Sequence, residues 1–308
     1  MTAASPPAEI DPEQGFVEVA ERCWVARYEF LDVNVGVVAG ARGLLVVDTH
    51  ASEAEARRVV EQVRRLGAGD VVAVVNTHEH FDHCFGNVVF GEEYDDLRLF
   101  AHETAAAGLP TTGRVLQEQA RSDPSDPRHA QIAATRIVAP DQTFSSTRVI
   151  DLGDRLVELV HPGRGHTAGD TVVLVPDVDV LFAGDLVEES AQRCPGWRGG
   201  VPGFGSDSYP LEWPATADLL LGLVGNSPVV IPGHGRPVDR EFVVEQRDSI
   251  GLVAETIRDL AGRGVPLTEA LTSAQWPYPV EELAHAVARG YAHLPRSAKS
   301  LPLLQPDL

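Results

Sequence analysis

The sequence predicts an α/β (α+β) fold in which two β-sheets pack against each other between outer layers of helices. Short apolar runs typical of strands occur in two groups, and segments with helical periodicity lie between and after them. With 308 residues and 44% hydrophobic composition, the chain is long and apolar enough to bury a sizeable core. We expect a single domain over 1–308, with a core at about 16–240 and a helical extension at about 240–296.

The first group of strands begins near the start of the chain. Apolar β-branched runs predict strands at 16–20, 23–28, 34–39, 44–47, 71–75 and 97–101. Ser52 is a predicted N-cap, because a small hydroxyl side chain precedes a segment whose apolar residues recur at helical spacing as far as about Leu66. One helix is therefore expected between the fourth and fifth strands.

The second half alternates between helical, strand-like and irregular segments. Residues 103–138 have a polar helical pattern and form either a lid over the site or a peripheral insertion. Strands are predicted at 148–151, 155–161, 171–175, 180–183 and 228–231, and helices at 211–223, 240–263, 267–273 and 280–294. Residues 188–209 are rich in Gly, Pro and aromatic residues without periodicity, which is typical of a substrate-binding loop.

Charge and composition exclude several classes of protein. The net charge is −20, whereas a nucleic-acid-binding face needs clustered Lys and Arg, so we expect no nucleic-acid partner. Residues 1–15 lack the basic and apolar stretches of a signal peptide, and no apolar run is long enough to span a bilayer. Three widely spaced cysteines imply no disulfide framework. We therefore expect a cytoplasmic protein without a membrane partner.

The stretch 77–83, Thr-His-Glu-His-Phe-Asp-His, holds three imidazoles and a carboxylate directly after a predicted strand. Because alternate side chains of an extended segment point the same way, His78 and His80 can reach one site, and Asp82 with His83 a second. Imidazole and carboxylate together suit zinc, and also iron or manganese. The stretch is therefore interpreted as a metal-binding loop, with a surface histidine cluster as the alternative.

Three further segments follow the same pattern, an apolar run that leads through Gly or Thr to a residue able to bind metal. They contain His166 in Gly-His-Thr, Asp185 in Gly-Asp and His234 in Gly-His-Gly. In this order, the four segments resemble the metallo-β-lactamase superfamily over roughly residues 16–240. The resemblance implies an αββα four-layer sandwich with a dinuclear metal site at one edge, to which this chain adds C-terminal helices.

The resemblance also implies a ligand for each position of a two-metal site. The seven ligands would be His78, His80 and His166 at the first ion, Asp82, His83 and His234 at the second, and Asp185 between both. Asp48 matches an acidic residue that ends an early strand in this family. We expect it to support the metal loop rather than to bind metal, since such residues fix the orientation of ligand imidazoles.

The implied cofactors are two zinc ions, with iron or manganese as alternatives. Two divalent cations outweigh the carboxylates of Asp82 and Asp185 and one hydroxide, so the centre stays positive and lowers the pKa of water. The implied mechanism is attack by metal-bound hydroxide, with Asp82 or Asp185 as the catalytic proton acceptor. A Ser or Cys nucleophile is not required.

Single residues separate the members of the superfamily. Flavin-linked diiron oxygen reductases usually have Glu in place of His80, β-lactamases usually lack an Asp at position 185, and RNA-processing members usually have a basic surface. The group that resembles glyoxalase II, lactonases and thioesterases remains, although the C-terminal arginines do not match the glyoxalase II pattern for glutathione. We therefore predict a dinuclear metal-dependent hydrolase whose partner is a small-molecule ester, thioester or lactone.

Three alternatives stay open at this point. One is a phosphodiesterase with the same metal site. Another is an iron-dependent oxidoreductase that resembles persulfide dioxygenases, although the full second set of ligands argues against a site for one ion. The third is a binding protein with an inactive site.

Several other residues have two interpretations each. Cys84 directly follows the metal loop and is either a ligand or a small packed side chain. His161 is interpreted as a hydrogen-bonded structural residue. Trp197, Phe204 and Tyr209 either line the substrate pocket or simply pack against neighbouring residues.

Overall fold

The computed structural model describes residues 10–123, 125–190 and 200–295, and its strands form two mixed sheets. The first sheet has seven strands, β1 Val17–Ala20, β2 Cys23–Arg27, β3 Asn34–Gly40, β4 Gly43–Val47, β5 Val71–Val75, β6 Arg98–His102 and β7 Gln142–Phe144. The second sheet has five strands, β8 Thr147–Asp151, β9 Leu156–Val160, β10 Val172–Val175, β11 Val180–Glu188 and β12 Val229–His234. The two groups of strands predicted from the sequence thus correspond to two separate sheets.

Each sheet contains both antiparallel and parallel neighbouring strands. In the first sheet the strands follow chain order; β1 to β4 pair antiparallel and β4 to β7 pair parallel. In the second sheet the order is β12-β11-β10-β9-β8, with β11 and β12 parallel and the others antiparallel. Parallel neighbours end at the same edge of a sheet, so side chains that follow β4, β5, β11 and β12 can meet.

Alternating side chains divide the apolar strands between different layers. On β4, Leu45 and Val47 face a cluster shared with the second sheet, whereas Leu44 and Val46 face a cluster that includes helical residues. On β11, Val180 and Phe182 likewise face the first sheet. Because successive side chains of a strand point to opposite faces, each continuous apolar run covers both faces of its sheet.

The helices cover the outer faces of the two sheets. They are α1 Glu53–Leu66, α2 Phe81–Cys84, α3 Asn87–Glu93, α4 Glu103–Ser122, α5 Pro127–Ala134, α6 Trp213–Leu223, α7 Arg240–Gly262, α8 Leu267–Ala270 and α9 Ala284–His293. Residues of α1 and α3 pack on the first sheet, and residues of α6, α7 and α9 pack on the second. The predicted αββα four-layer sandwich is therefore confirmed.

The C-terminal helices share one hydrophobic cluster with the second sheet. Val253 and Ile257 of α7 and Val287 of α9 are fully buried in the cluster that contains Leu181 of β11. Each fully buried aliphatic side chain contributes about 1.5–3 kcal/mol relative to exposure. Within the described ranges, no helix combines the length and apolar composition that crossing a bilayer requires.

Most predicted elements lie close to their observed bounds, and the differences have physical reasons. The Oγ of Ser52 accepts a hydrogen bond from the backbone N–H of Glu55, so Ser52 caps α1 as predicted. The sequence did not predict β7, a three-residue strand that the neighbouring β6 supports through pairing. The prediction that the strand at 180–183 stops before Gly184 was wrong, because β11 continues beside β12 as far as Glu188.

Candidate metal centre

The metal loop leaves the first sheet at the end of β5 and turns into a short helix. His78 lies in the bend at 77–79 that follows β5, and His80 is the N-cap residue of α2, with extended backbone. Asp82 and His83 lie within α2, two and three positions after His80. The change of backbone conformation at His80 sends the two pairs of side chains in different directions, so one short segment serves two neighbouring groups.

The first group consists of His78, His80, His166 and Asp185, whose ligand atoms all lie within 4.8 Å of one another. Nδ1 of His80 and Nε2 of His166 are 2.9 Å apart. Nε2 of His166 lies 3.4 Å from Oδ2 of Asp185, and Nε2 of His78 lies 3.8 Å from the same oxygen. The four donors surround one point.

The second group consists of Asp82, His83 and His234, again within 4.8 Å of one another. Nε2 of His83 and Nε2 of His234 are 3.2 Å apart, and Oδ2 of Asp82 lies 3.4 Å from His234. Asp185 also contacts this group, since its Oδ1 is 3.2 Å from His83 and its Oδ2 is 3.3 Å from His234. The oxygens of Asp185 therefore lie close to both groups, and the role that the resemblance implies for this residue is to bind both ions.

Buried atoms without partners indicate that these residues fit metal ions. His78 is 1% exposed and Asp185 is 3% exposed, yet Nε2 of His78 has no hydrogen-bond partner among the described residues, and Oδ1 of Asp185 makes no contact there beyond its 3.2 Å ion pair with His83. A buried polar atom without a partner costs about 1–3 kcal/mol, and more when it is charged. Imidazole nitrogens and carboxylate oxygens in two adjoining groups are the donor set that zinc, iron or manganese uses.

Gly233 makes room for the shared carboxylate. A Cβ atom at this position would lie 1.8 Å from Oδ1 of Asp185, far inside van der Waals contact. The glycine that precedes His234 in the Gly-His-Gly segment is therefore required by the close approach of Asp185 from the neighbouring strand.

Each of the five candidate ligand imidazoles makes a contact through its second ring nitrogen. The contacts run from His78 Nδ1 to Thr77 Oγ1 (3.1 Å), His80 Nε2 to Asp207 Oδ2 (2.9 Å), His83 Nδ1 to Asp48 Oδ2 (2.9 Å), His166 Nδ1 to the Gly203 carbonyl (2.8 Å) and His234 Nδ1 to the Leu31 carbonyl (2.7 Å). Such contacts fix the tautomer and orient the free nitrogen of each ring.

Asp48 accepts three hydrogen bonds directly beneath the metal loop. Its Oδ1 accepts from the Thr77 backbone N–H at 2.8 Å, and its Oδ2 accepts from the Thr77 hydroxyl at 2.8 Å and from His83. Burial raises the pKa of Asp48, and His83 opposes that change. Asp48 therefore holds the loop through hydrogen bonds and belongs to neither of the two groups of donor atoms.

The carboxylates create a strongly negative site. Burial alone would lower the pKa of His234, but Asp185 and other carboxylates outweigh it and raise that pKa to about 10. Burial would also lower the pKa of His80, but the hydrogen bond and charge of Asp207 outweigh it and raise that pKa to about 9. The same balance, with Asp185 as the largest favourable partner, raises the pKa of His83 well above its usual range. This potential attracts protons, and divalent cations would satisfy it in their place.

The other two imidazoles stay neutral. Burial lowers the pKa of His166 to about 4 and the pKa of His78 well below its usual range. A neutral imidazole offers the lone pair that a metal ion needs. The first group therefore contains two imidazoles that are ready to bind without losing a proton.

A cavity of about 370 Å³ opens beside the first group. Its walls come from His80, His166, residues 201–205 and the segment 281–285 that leads into α9. The sequence did not indicate that the C-terminal helices reach this cavity, since Glu281, Glu282 and His285 belong to no recognisable motif. Packing of α9 on the second sheet brings them there.

The structure separates the aromatic candidates. Phe204 lines the cavity, whereas the Tyr209 ring contacts the guanidinium groups of Arg164 and Arg289, whose Cζ atoms lie 4.4 and 5.0 Å from its centre. The interpretation of Trp197 as a lining residue falls outside the described residues, as does much of the predicted loop at 188–209.

Cys84 and residues of the segment 103–138 pack together in one hydrophobic cluster next to the metal loop. The Sγ of Cys84 donates to the backbone carbonyl of His80 at 2.9 Å, and the side chain packs against Leu109 and Ile132 of α4 and α5. Cys84 is in neither group of donor atoms.

His161 donates to the Asp170 carbonyl at 2.7 Å, so it has the hydrogen bond that its structural interpretation requires.

Two residues near the centre were not predicted. Asp207 holds His80 from a loop without periodicity, and its position depends on contacts between distant segments. Glu188 lies beside His234 because β11 is longer than the sequence indicated. Its position three residues after Asp185 is the one signal that was available in the chain.

Two sheets between helices, with buried imidazoles and carboxylates in two adjoining groups, are typical of metal-dependent hydrolases. The chain belongs to the metallo-beta-lactamase superfamily, whose family model matches residues 28–234. That match includes every residue of the two donor groups. The resemblance inferred from the motifs is therefore confirmed.

Individual relatives come from two kinds of hydrolase. A metallo-beta-lactamase type 2 from Bacillus cereus is 26% identical over 220 residues, 71% of this chain and 73% of that protein. A linear primary-alkylsulfatase from Pseudomonas sp. is 25% identical over 271 residues, 78% of this chain and 49% of that protein. The structure of a sec-alkylsulfatase from Pseudomonas sp. superposes with a TM-score of 0.72 at 18% identity, covering 96% of this chain and 52% of that one. This structural likeness shows the fold alone.

Proposed function

We propose that the protein is a dinuclear metal-dependent hydrolase of a small-molecule ester, thioester or lactone. The observation that carries the proposal is the contact of Asp185 with both donor groups, at 3.4 Å from His166 and 3.2 Å from His83. One carboxylate between two sets of donors can contact both ions of a metal pair, which supports a two-metal site. Zinc is the metal we favour, and the donor set also suits iron or manganese.

The chain's own residues would bind, orient and accept a proton. When bound, divalent cations lower the pKa of water towards neutrality and polarise the oxygen of the scissile bond. Asp82 and Asp185 are the carboxylates within the donor groups, and we assign them as acceptors of the proton of the attacking water. Asp207, Asp48 and the Gly203 carbonyl hold the imidazoles in position while this happens.

The cavity supports a small substrate. Its volume of about 370 Å³ is at the lower end of the range for small-molecule sites. Residues 201–205 and the start of α9 enclose it, so a substrate would lie between the second sheet's long loop and the C-terminal helices. The proposed partner is the small-molecule substrate, and the proposal includes neither a nucleic acid nor a membrane. A cytoplasmic location is part of the proposal, and the free thiols of Cys23 and Cys84 support it.

A sulfate ester is the second candidate substrate. The linear primary-alkylsulfatase aligns over 78% of this chain, beyond the range of the family model. This similarity makes a sulfate ester a second candidate beside the carboxylic ester, thioester or lactone. The reaction would still be hydrolysis by water at the same pair of donor groups.

The test combines metal analysis with a substrate panel. Protein purified without added metal is analysed for zinc, iron and manganese, as wild type and as Asp185→Asn. The panel contains a carboxylic ester, a thioester, a lactone, an alkyl sulfate and a phosphodiester. We expect two ions per wild-type chain, fewer in the variant, and hydrolysis that a chelator abolishes and added metal restores.

Other outcomes would overturn the proposal. Hydrolysis that persists in metal-free protein would exclude the metal mechanism. One iron per chain with oxygen consumption on a persulfide would assign an oxidoreductase instead. Cleavage restricted to the phosphodiester or the alkyl sulfate would keep the metal centre and change the substrate class.

A further inference from the structure

Glu188 is a buried carboxylate at the end of β11 that the seven predicted ligands do not include. It pairs with His234 in the parallel ladder between β11 and β12 and follows Asp185 by three positions. Its side chain is 1% exposed. A carboxylate so completely removed from water needs either a cation or several hydrogen bonds.

The contacts of Glu188 satisfy only one of its two carboxylate oxygens. Oε1 accepts a hydrogen bond from the Ser190 backbone N–H at 3.1 Å. Oε2 has no hydrogen-bond partner among the described residues. The backbone N–H of Glu188 donates to Oε1 of Gln246 at 3.0 Å, which holds the main chain at this point. The backbone is therefore anchored while one oxygen is left for another partner.

Glu188 belongs to a third group of possible donors, which shares Asp185 and His234 with the metal centre. Glu188, Asp185 and His234 each offer a ligand atom, and these three atoms lie within 4.8 Å of one another. A second buried acid nearby, Asp32, already has a cation, since Arg27 Nε and Nη2 donate to its two oxygens at 2.5 and 2.9 Å. Among the described residues, no comparable guanidinium contacts Glu188.

We propose that Glu188 is an additional metal ligand, which joins Asp185 and His234 at the second ion. The inference rests on the proposed dinuclear site and assigns it an eighth donor. With Asp82 and Asp185, Glu188 makes three carboxylates, which offset three of the four positive charges of two divalent cations. Hard carboxylate oxygens at one ion would also shift its preference towards manganese or iron.

The test compares Glu188→Gln with wild type and with the matched control Glu189→Gln. Glutamine has the same shape and can still accept from Ser190, but it removes the anionic oxygen. The neighbouring Glu189 instead pairs with Arg236 at 2.7 Å and lies outside the donor groups. Zinc affinity is measured by competition with a chromophoric chelator, and thermal unfolding is followed with and without zinc.

A ligand role and a structural role give opposite results. If Glu188 binds metal, Glu188→Gln loses at least about ten-fold in affinity for one of the two ions, because even contacts behind a ligand are worth 10–100-fold. Metal-free Glu188→Gln should melt no lower than metal-free wild type, since a buried charge without a cation has been removed. The stabilisation by saturating zinc should shrink by about 1.4 kcal/mol for each ten-fold loss.

Two results would overturn the inference. One is Glu188→Gln with two zinc ions at wild-type affinity. The other is a lower melting temperature of the metal-free variant with unchanged stabilisation by zinc, which would assign Glu188 a structural role. Both are distinct from failure of the proposed function, in which wild-type protein itself would not bind two ions. The control should match wild type in every measurement.

Discussion

The Nε2 atom of His80 donates a hydrogen bond to Oδ2 of Asp207 at 2.9 Å, which leaves Nδ1 of the same ring 2.9 Å from His166. The two residues are 127 positions apart in the chain. Asp207 lies in a loop that Arg289 of α9 contacts through the Ser208 carbonyl. His80 supplies a donor atom of the first group through its other nitrogen. The orientation of a candidate ligand thus depends on a part of the chain far from the metal loop.

Loss of the Asp207 carboxylate should weaken metal binding. In Asp207→Ala, His80 is free to rotate, so we expect a 10–100-fold lower affinity for one ion with little change in the fold. Chelator competition measures the affinity, and circular dichroism checks the fold. The exposed Asp95→Ala serves as the control and should behave as wild type. Equal affinity in both variants would show that Asp207 does not position His80.

Arg289 connects α9 to the same loop. Its Nε donates to the Ser208 carbonyl at 2.8 Å, and its guanidinium lies over the Tyr209 ring. We expect Arg289→Ala to raise KM and to lower metal affinity less than Asp207→Ala does, because it acts through the loop. Steady-state kinetics on the active substrate test this. The control is Arg263→Ala, which removes an exposed ion pair with Asp259 worth about 0–1 kcal/mol.

Substitution of Asp48 should affect the second group of donors. The two carboxylate oxygens of Asp48 accept from the backbone N–H and hydroxyl of Thr77 and from Nδ1 of His83. In Asp48→Asn an NH2 group replaces one of these oxygens, so at least one of the three donors loses its acceptor. We expect a loss of about 1–3 kcal/mol in unfolding free energy and fewer ions bound per chain. Denaturant unfolding and elemental analysis measure the two effects. Thr77→Val, which keeps the backbone N–H, should cost less; a larger cost would contradict the central role of Asp48.

Gly233→Ala tests the approach of Asp185 to the centre. The new methyl group would meet Oδ1 of Asp185, so the carboxylate must move away and both donor groups lose it. We expect less bound metal and at least ten-fold lower kcat/KM, in line with the loss of a positioned catalytic group. Gly251→Ala in α7 is the matched control, because nothing lies within 4 Å of its added Cβ. The control should be stabilised by up to about 1 kcal/mol.

Metal-free protein should lose stability as the pH rises from about 7 to 10. His80 and His234, with pKa values of about 9 and 10, hold protons in the folded state that the unfolded chain releases near pH 6.5. The folded state therefore binds more protons in this window, and unfolding free energy falls with pH. Burial raises the pKa of Asp170 to about 8, which acts in the same direction. Melting temperatures across this range measure the effect, and saturating zinc should reduce it. A flat or rising profile for the metal-free protein would contradict these shifts.

Local patterns determined much of what the sequence revealed. Apolar runs predicted most strands, Ser52 predicted the start of α1, and the spacing in 77–83 predicted two sets of donors. These features depend on residues close together in the chain, where side-chain periodicity, capping and backbone geometry act directly. The family and the hydrolase class followed from the same short segments and are confirmed.

Tertiary structure alone decided which distant residues complete the site. Asp207 and the segment 281–285 have no local signal, and Glu188 has only its spacing from Asp185. The positions of all three depend on how β11 pairs with β12 and how α9 packs on the second sheet. Asp48 and Thr77 meet because β4 and β5 are parallel and end at the same edge. The sequence by itself determined the class of centre, since ligand chemistry lies in short motifs. The supports and the pocket were decided only by the packing of segments that are far apart in the chain, because a local pattern identifies a strand or helix but not the element that it packs against.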